Sequence, residues 1–170
     1  MKTYRSPRNV VAEIERLVAA DKPSPHPPSA LARIAKLLCD SRNYQRAGIY
    51  LLIDGREVPR AFSGSQTASQ PGTDLSLPVK IASETLGSLR VQLAPGHTSS
   101  FEERVLLHEV AEILALYLSG KGRYLVRKAR EALRETAAAG SGQARGYQPA
   151  PDKSSLPEAR LAAAGDKSRS

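Results

Sequence analysis

Apolar residues recur at the spacing of an α-helix in three stretches of the chain. The pattern predicts a first helix over residues 9–20, a second over residues 30–40 and a long third helix over residues 101–119. In the third stretch the apolar side chains fall within about 120° of arc, which is typical of a helix that packs one face against a core. This predicted core face consists of Leu106, Leu107, Val110, Ile113, Leu114 and Tyr117.

Shorter apolar runs, of the length typical of β-strands, lie between the second and third predicted helices. The dipeptide Asp54-Gly55 separates the first two runs and is typical of a tight hairpin turn. Ser99 and Glu102 have the spacing of a capping box ahead of the long helix. We therefore expect an α+β domain whose antiparallel sheet has at least four strands and is flanked by helices. The predicted strands cover residues 47–53, 57–62, 75–81 and 86–93.

Changes in composition divide the chain into four parts. Four prolines within residues 21–29 end the first helix, because proline removes a backbone donor and clashes with the preceding turn. Gly120 and Gly122 follow the long helix, and the end of the chain is rich in Gly, Ala, Ser and Pro, a composition typical of disorder. The predicted parts are an N-terminal helix with a Pro-rich linker (1–27), a folded domain (28–120), a basic helix (121–139) and a disordered tail (140–170).

The overall composition indicates a protein of a reducing compartment. The apolar share of 41% is enough for a core, and a single cysteine excludes an intramolecular disulfide. The N-terminus lacks the apolar segment of a signal peptide, and no run approaches the roughly 20 apolar residues that cross a bilayer. We expect a soluble, cytoplasmic protein with no membrane partner.

The net charge of +8 is concentrated near the C-terminus. Residues 1–120 carry 14 Lys and Arg against 12 Asp and Glu, whereas residues 121–170 carry 11 against 5. A basic segment of this kind can bind nucleic acid or an acidic partner, or can simply be solvated.

The strings AGIYLLIDG, LPVKIASETLGSLRVQ and SSFEERVLLHEVAEILALYL, in this order of elements, resemble a GAF domain over about residues 28–120. The family's late strands carry a recurrent apolar, proline and glycine pattern, and its closing helix opens with Phe and acidic residues. Phe101, Glu102 and Glu103 match that opening. The matching strand positions are Leu77, Pro78, Val79, Leu86, Gly87, Leu89 and Val91. The resemblance implies a sensory or regulatory module that binds a small ligand or pairs with a protein and performs no chemistry.

The segment 63–74 is the main departure from this family. GAF domains usually have a long, partly helical excursion here that closes over a ligand, whereas this segment has a dozen residues and no aliphatic side chain larger than Ala. We therefore expect no large buried cofactor. One branch of the family, the free methionine-(R)-sulfoxide reductases, needs more than one thiol, and this chain has only Cys39. A reductase of that type is the disfavoured alternative.

The candidate site residues follow from this interpretation. Tyr50 and Phe62 are the predicted ligand contacts, beside the segment 63–74. No catalytic residue and no cofactor or metal ligand is predicted, because no nucleophile has a partner and the three histidines lack metal-ligand spacing. A second surface of the long helix, with Val105, His108 and Leu116, is an alternative helix interface.

The leading hypothesis is a non-enzymatic module that forms a homodimer or binds a signalling partner. The predicted dimer contacts lie on the first and last helices and are Val10, Ile14, Leu17, Leu125 and Leu133. The alternative is a nucleic-acid-associated regulator that uses residues 121–135. Tyr124 is the only aromatic residue in that segment, so support for stacking on single strands is weak.

Overall fold

The computed structural model describes residues 4–23, 28–42, 44–64 and 72–142; for residues 140–142 it describes the backbone only. In chain order its elements are α1 (Pro7–Ala20), α2 (Ala30–Arg42), β1 (Arg46–Ile53), β2 (Arg56–Gly64), β3 (Asp74–Ile81), β4 (Glu84–Gln92), α3 (Phe101–Ser119) and α4 (Arg123–Gly142). This order confirms the predicted α+β class and the antiparallel sheet flanked by helices. Most of the Pro-rich linker, the centre of the 63–74 segment and the tail beyond residue 142 lie outside the described residues.

The four strands form one sheet in the order β2-β1-β4-β3, and every neighbouring pair is antiparallel. β1 lies inside the sheet between β2 and β4, as its nearly continuous apolar run predicts. The register places Gly48 of β1 opposite Phe62 on one side and opposite Arg90 on the other. These two pairings determine which side chains meet at the site described below.

The β1–β2 connection is a two-residue turn in which both residues have positive φ. Asp54 has a φ of 50° and Gly55 a φ of 77°, the conformation that matches the twist of a hairpin. The predicted turn is therefore present. Ala82, in the link between β3 and β4, also has a φ of 50°, a region that residues with a Cβ rarely adopt.

Helices α2 and α3 pack against one face of the sheet, and α1 packs on these two helices. We call this the covered face; its strand residues, all buried, include Ala47, Ile49, Leu51, Leu77, Val79, Leu89 and Val91. Successive strand residues point to opposite sides, so the intervening residues form the other face. We call it the open face, and it includes Arg46, Gly48, Tyr50, Phe62, Ser76, Ser88 and Arg90.

Helix α3 begins at Phe101, as predicted, but its N-cap lies one residue after the first residue of the predicted capping box. Ser100, not Ser99, is the N-cap, and its hydroxyl accepts a hydrogen bond from the Glu103 backbone N–H at 3.1 Å. Five of the six residues of the predicted core face are buried, and Ile113 is half-buried. Among the described residues, no helix combines the length and apolar character that crossing a membrane requires.

Helix α4 belongs to the packed domain, which changes the predicted boundary at residue 120. Leu125 and Ala129 are 2% and 6% exposed and join the main apolar core. Tyr124 and Tyr117 both donate hydrogen bonds to the buried carboxylate of Asp21, at the end of α1. The core therefore continues past Leu118, and α4 extends to Gly142, beyond the predicted end of the basic helix at residue 139.

A second buried polar cluster joins α2, the segment before β1, and α3. The guanidinium of Arg42 donates two hydrogen bonds to Glu103, of 3.2 and 2.8 Å, and Tyr44 donates a third through its hydroxyl. The Arg42 side chain is 1% exposed. Burial, reinforced by the hydrogen bond to Glu103, raises the pKa of Tyr44 well above its ordinary value. This cluster holds the start of α3 against the helix layer.

Candidate ligand site on the open face of the sheet

A cavity of about 370 Å³ lies on the open face, across β1, β4 and β3. Its volume is near the lower end of the range of about 300–1,000 Å³ that is usual for small-molecule sites. The outward side chains of three strands line it because the strands alternate in and out of the sheet. The lining includes Arg46, Gly48, Tyr50, Asp74, Ser76, Arg90 and Gln92.

Tyr50 and Phe62 form an aromatic pair beside this cavity. Their ring centroids are 5.3 Å apart and the rings are nearly perpendicular, at 83°, which is a favourable edge-to-face geometry. Gly48 makes room for the pair: a Cβ at that position would lie 2.9 Å from two Phe62 ring atoms and 3.2 Å from Tyr50. Phe62 is 40% exposed, so part of the pair remains accessible.

An arginine side chain lies against each of the two aromatic rings. The guanidinium of Arg90 lies 4.4 Å from the Tyr50 ring centroid, and that of Arg46 lies 5.1 Å from the Phe62 ring centroid. Both distances are within the range of cation–π attraction. The result is a compact surface of two rings and two cations around a glycine.

Glu57 is the acidic member of this surface. It accepts a hydrogen bond from the Ser88 hydroxyl at 2.7 Å and forms an ion pair with Arg90. The hydrogen bond from Ser88, together with the charge of Arg90, lowers the pKa of Glu57 below its ordinary value. Glu57 is therefore ionised at neutral pH and neutralises Arg90.

The structure brings the two sequence-predicted ligand residues, Tyr50 and Phe62, into contact. Sequence reasoning missed Arg46, Gly48 and Arg90, which complete the surface. The period-2 pattern of β1 would have placed Arg46 and Gly48 on the same side as Tyr50. The pairing of Arg90 with Tyr50 required the register between β1 and β4, which the sequence does not display.

Cys39 lies away from this cavity. It sits on α2, is 3% exposed, and its Sγ is 3.3 Å from the Ser63 carbonyl oxygen. Helix α2 packs on the covered face, so the thiol and the open-face cavity are on opposite sides of the sheet. Among the described residues, no three His, Cys, Asp or Glu side chains are grouped so that they could hold a metal ion.

The structure places most of the predicted dimer contacts inside the chain's own core. Val10 and Ile14 are fully buried and Leu125 is 2% exposed, because α1 and α4 pack on the domain rather than standing away from it. Leu17 and Leu133 are half-buried against the same core. These five residues therefore do not form an exposed surface. On the alternative helix surface, Val105 and Leu116 are 40% and 66% exposed.

Three arginines of the basic segment line one groove. Arg123, Arg127 and Arg130 of α4 face a cavity of about 520 Å³ that also includes Glu84 at the start of β4. Arg127 is 3.9 Å from Glu131 and Arg130 is 3.6 Å from Asp54. Both distances exceed the roughly 2.7–2.9 Å of strong charge-assisted hydrogen bonds.

Solved structures that share this fold include proteins of two kinds. The chain is similar to the GAF domain of an Acinetobacter phosphoenolpyruvate-protein phosphotransferase, with 16% identity, a TM-score of 0.57, and 69% of this chain and 96% of that one covered. It is also similar to free methionine-R-sulfoxide reductase from Neisseria meningitidis in complex with its substrate, with 17% identity, a TM-score of 0.57 and coverage of 76% and 99%.

A third similar structure is fRMsr of Staphylococcus aureus, in complex with substrate, with 12% identity, a TM-score of 0.54 and coverage of 69% and 99%. No family model matches the chain, and no curated protein matches it in sequence. At these identities the likeness shows the fold alone. The chain has a GAF-like fold, and that fold serves both regulatory domains and reductases.

Proposed function

We propose that this chain is a GAF-type regulatory module without catalytic activity, which responds to a small ligand bound on the open face of its sheet. The observation that carries the proposal is the joint placement of Tyr50, Phe62, Arg46 and Arg90 around Gly48, beside a cavity of about 370 Å³. Aromatic rings and a few fixed polar groups are the usual composition of a small-molecule site. Among the described residues of the cavity lining, no nucleophile has an adjacent base.

Binding of small compounds tests the first half of the proposal. Ligand-observed NMR with a library of small aromatic and polar fragments should yield binders of the wild-type chain, and Tyr50→Ala should weaken them. The matched control is Val105→Ala, which removes an exposed apolar side chain from α3 instead. If fragment binding is the same in wild type and Tyr50→Ala, the open face is not the ligand site.

An activity assay tests the second half. Sulfoxide reduction by thiol chemistry begins with attack by an accessible thiolate and ends with a second thiol that resolves the intermediate. The chain's single thiol, Cys39, is buried on the covered side of the sheet. We expect no reduction of free methionine sulfoxide above a Cys39→Ser control; activity that is present in wild type and lost in Cys39→Ser would show an enzyme.

Nucleic-acid binding through α4 is the second candidate function, and the groove lined by Arg123, Arg127 and Arg130 favours it. Binding of a labelled DNA duplex should weaken steeply with salt, because counterions are released from the phosphates. The double variant Arg127→Glu/Arg130→Glu should abolish binding, whereas Lys128→Glu/Arg134→Glu, with the same charge change outside the groove lining, should retain part of it. Absence of binding at low salt would remove this candidate.

A further inference from the structure

We infer that the ligand of the open face carries an anionic group, a carboxylate or a phosphate, and that Arg46 receives it. This inference rests on the proposed function, since it names the chemistry of a ligand at the same site. It goes further because the fold alone does not specify the charge of the ligand.

Arg46 is the cation of the cavity that lacks an internal counter-ion. It is exposed at the start of β1 and packs on the Phe62 ring, and among the described residues it forms no ion pair. The sequence of residues 65–71, SQTASQP, contains no acidic side chain that could supply one. A guanidinium packed on an aromatic ring keeps several N–H donors, whose fork matches the oxygens of a carboxylate or phosphate.

Arg90, the second cation of the cavity, is already neutralised. Its ion pair with Glu57 and its position over the Tyr50 ring fix it in place, and Ser88 holds the other Glu57 oxygen. Arg90 therefore adds hydrogen-bond donors and a flat surface to the cavity but no net charge. The charge that a ligand meets at this end comes from Arg46.

Asp74 is the remaining charged group of the lining, and it lies at the far side. The register pairs Arg46 with Gln92 and Gln92 with Asp74, so two strand spacings, about 10 Å, separate the two backbones. Among the described residues the Asp74 carboxylate forms no ion pair with Arg46. It does repel an anion in the cavity, so its removal should strengthen anion binding.

The shape of the cavity favours a small, flat anion. Because Gly48 has no side chain, the Phe62 ring packs over it against Tyr50, and the pair presents apolar edge and face beside the cavity. Benzoate and benzamide are a suitable pair of probes because they share a ring and differ in charge. Phenyl phosphate is the third probe, and its affinity relative to benzoate distinguishes a phosphate ligand from a carboxylate ligand.

The test is an NMR titration of backbone amides with each of the three probes. We expect benzoate or phenyl phosphate to shift open-face amides and to bind at least about tenfold more tightly than benzamide, as expected for a charge-assisted hydrogen bond. Arg46→Gln should abolish this difference, Arg46→Lys should retain part of it, and Asp74→Asn should increase it. Arg104→Gln, the same charge change at an exposed position on α3, should leave all affinities unchanged.

Two results would overturn the inference, and they separate it from the proposed function. If benzamide binds the open face as tightly as both anions, the site does not select an anion. If Arg46→Gln leaves anion affinity unchanged, Arg46 does not receive the anion. Either result overturns the inference although the site stands. If no probe shifts the open-face amides, both the inference and the small-ligand site fail. The amide spectrum of each variant shows whether it has kept its fold.

Discussion

Strand β1 contributes to both faces of the sheet, and the two sets of side chains differ in kind. Ala47, Ile49 and Leu51 on the covered face are fully buried beneath the helices. On the open face of the same strand, Arg46 is exposed and Tyr50 is half-buried. Arg46 contacts an aromatic ring, and the Tyr50 ring contacts an arginine. Alternation along one strand thus separates residues that stabilise the fold from residues available for recognition.

The ion pairs on the two sides of the molecule show the same difference. Arg42 and Glu103 on the helix side have 1% and 14% exposed side chains, and Arg90 and Glu57 on the open face have 45% and 39%. A buried charge that loses its partner is costly, whereas an exposed pair is screened by water and contributes little. The first pair holds the fold, and the second pair shapes a surface.

The largest expected effect is that of an alanine substitution on the covered face of β1. Ile49→Ala should lower the free energy of unfolding by about 2–5 kcal/mol, because it removes buried methyl groups and leaves a cavity. Tyr50→Ala, one residue along, should cost only about 1–2 kcal/mol, through its edge-to-face and cation–π contacts. Urea denaturation of both variants measures the difference, and equal losses would contradict the assignment of faces.

The second-largest expected effect is the loss of stability when the charge of one glutamate, Glu103 or Glu57, is removed. Glu103→Gln should lower the free energy of unfolding by about 3 kcal/mol, since it leaves the buried guanidinium of Arg42 without a counter-charge. Glu57→Gln should cost less than about 1 kcal/mol, because the pair is exposed. Chemical denaturation near neutral pH makes the comparison. The difference in stability between wild type and Glu57→Gln should disappear in acid. Folding lowers the pKa of Glu57, so its charge stabilises the folded protein above the unfolded-state pKa, and this stabilisation is lost as the carboxyl becomes protonated.

Alkaline pH should weaken the junction of α1, α3 and α4. Burial and the hydrogen bond to Asp21 raise the pKa values of Tyr117 and Tyr124. Above the ordinary tyrosine pKa of about 10, the unfolded chain loses these protons while the folded chain keeps them, so stability falls as the pH rises, by up to about 1.4 kcal/mol per pH unit for Tyr117. Stability measured between pH 9 and 11 should fall less steeply in Tyr117→Phe, and an unchanged slope would be inconsistent with this role of Tyr117.

The smallest effect concerns the floor of the open face. Gly48→Ala would bring a Cβ to 2.9 Å from the Phe62 ring, so the ring must move and its contact with Tyr50 weakens. We expect a stability loss of about 0.5–1.5 kcal/mol, the worth of such a ring pair, together with weaker ligand binding. The control is Ala94→Gly, which removes one methyl group in the loop after β4. Gly96→Ala in the same loop is unsuitable because Gly96 has a positive φ of 77°.

The order of elements was predictable from the sequence because each element carries a strong local signal. The helix predicted from the periodicity of residues 101–119 and the turn predicted at Asp54-Gly55 are both confirmed. The role of α4 in the core was not, since Leu125 and Ala129 form a thin apolar stripe among charged residues and only the packed structure shows them buried. The same packing buries Val10 and Ile14 in the core of the chain itself.

The candidate site was predictable only in part. Tyr50 and Phe62 were identified as aromatic residues next to the segment 63–74, and the structure shows them in contact. The arginines were missed because an exposed arginine on a strand has no distinctive pattern. Their position over the rings depends on cross-strand register, which arises from packing between distant segments rather than from local sequence.

The most direct test of the account is to map where a small ligand binds. Backbone amide shifts in the wild-type protein, recorded with increasing benzoate, should change at the open-face strand positions around Arg46, Gly48 and Arg90 and remain unchanged along α1 and α3. Shifts concentrated instead along α1 and α3, or on α4, would contradict the claim that the open face of the sheet is the recognition surface of this chain.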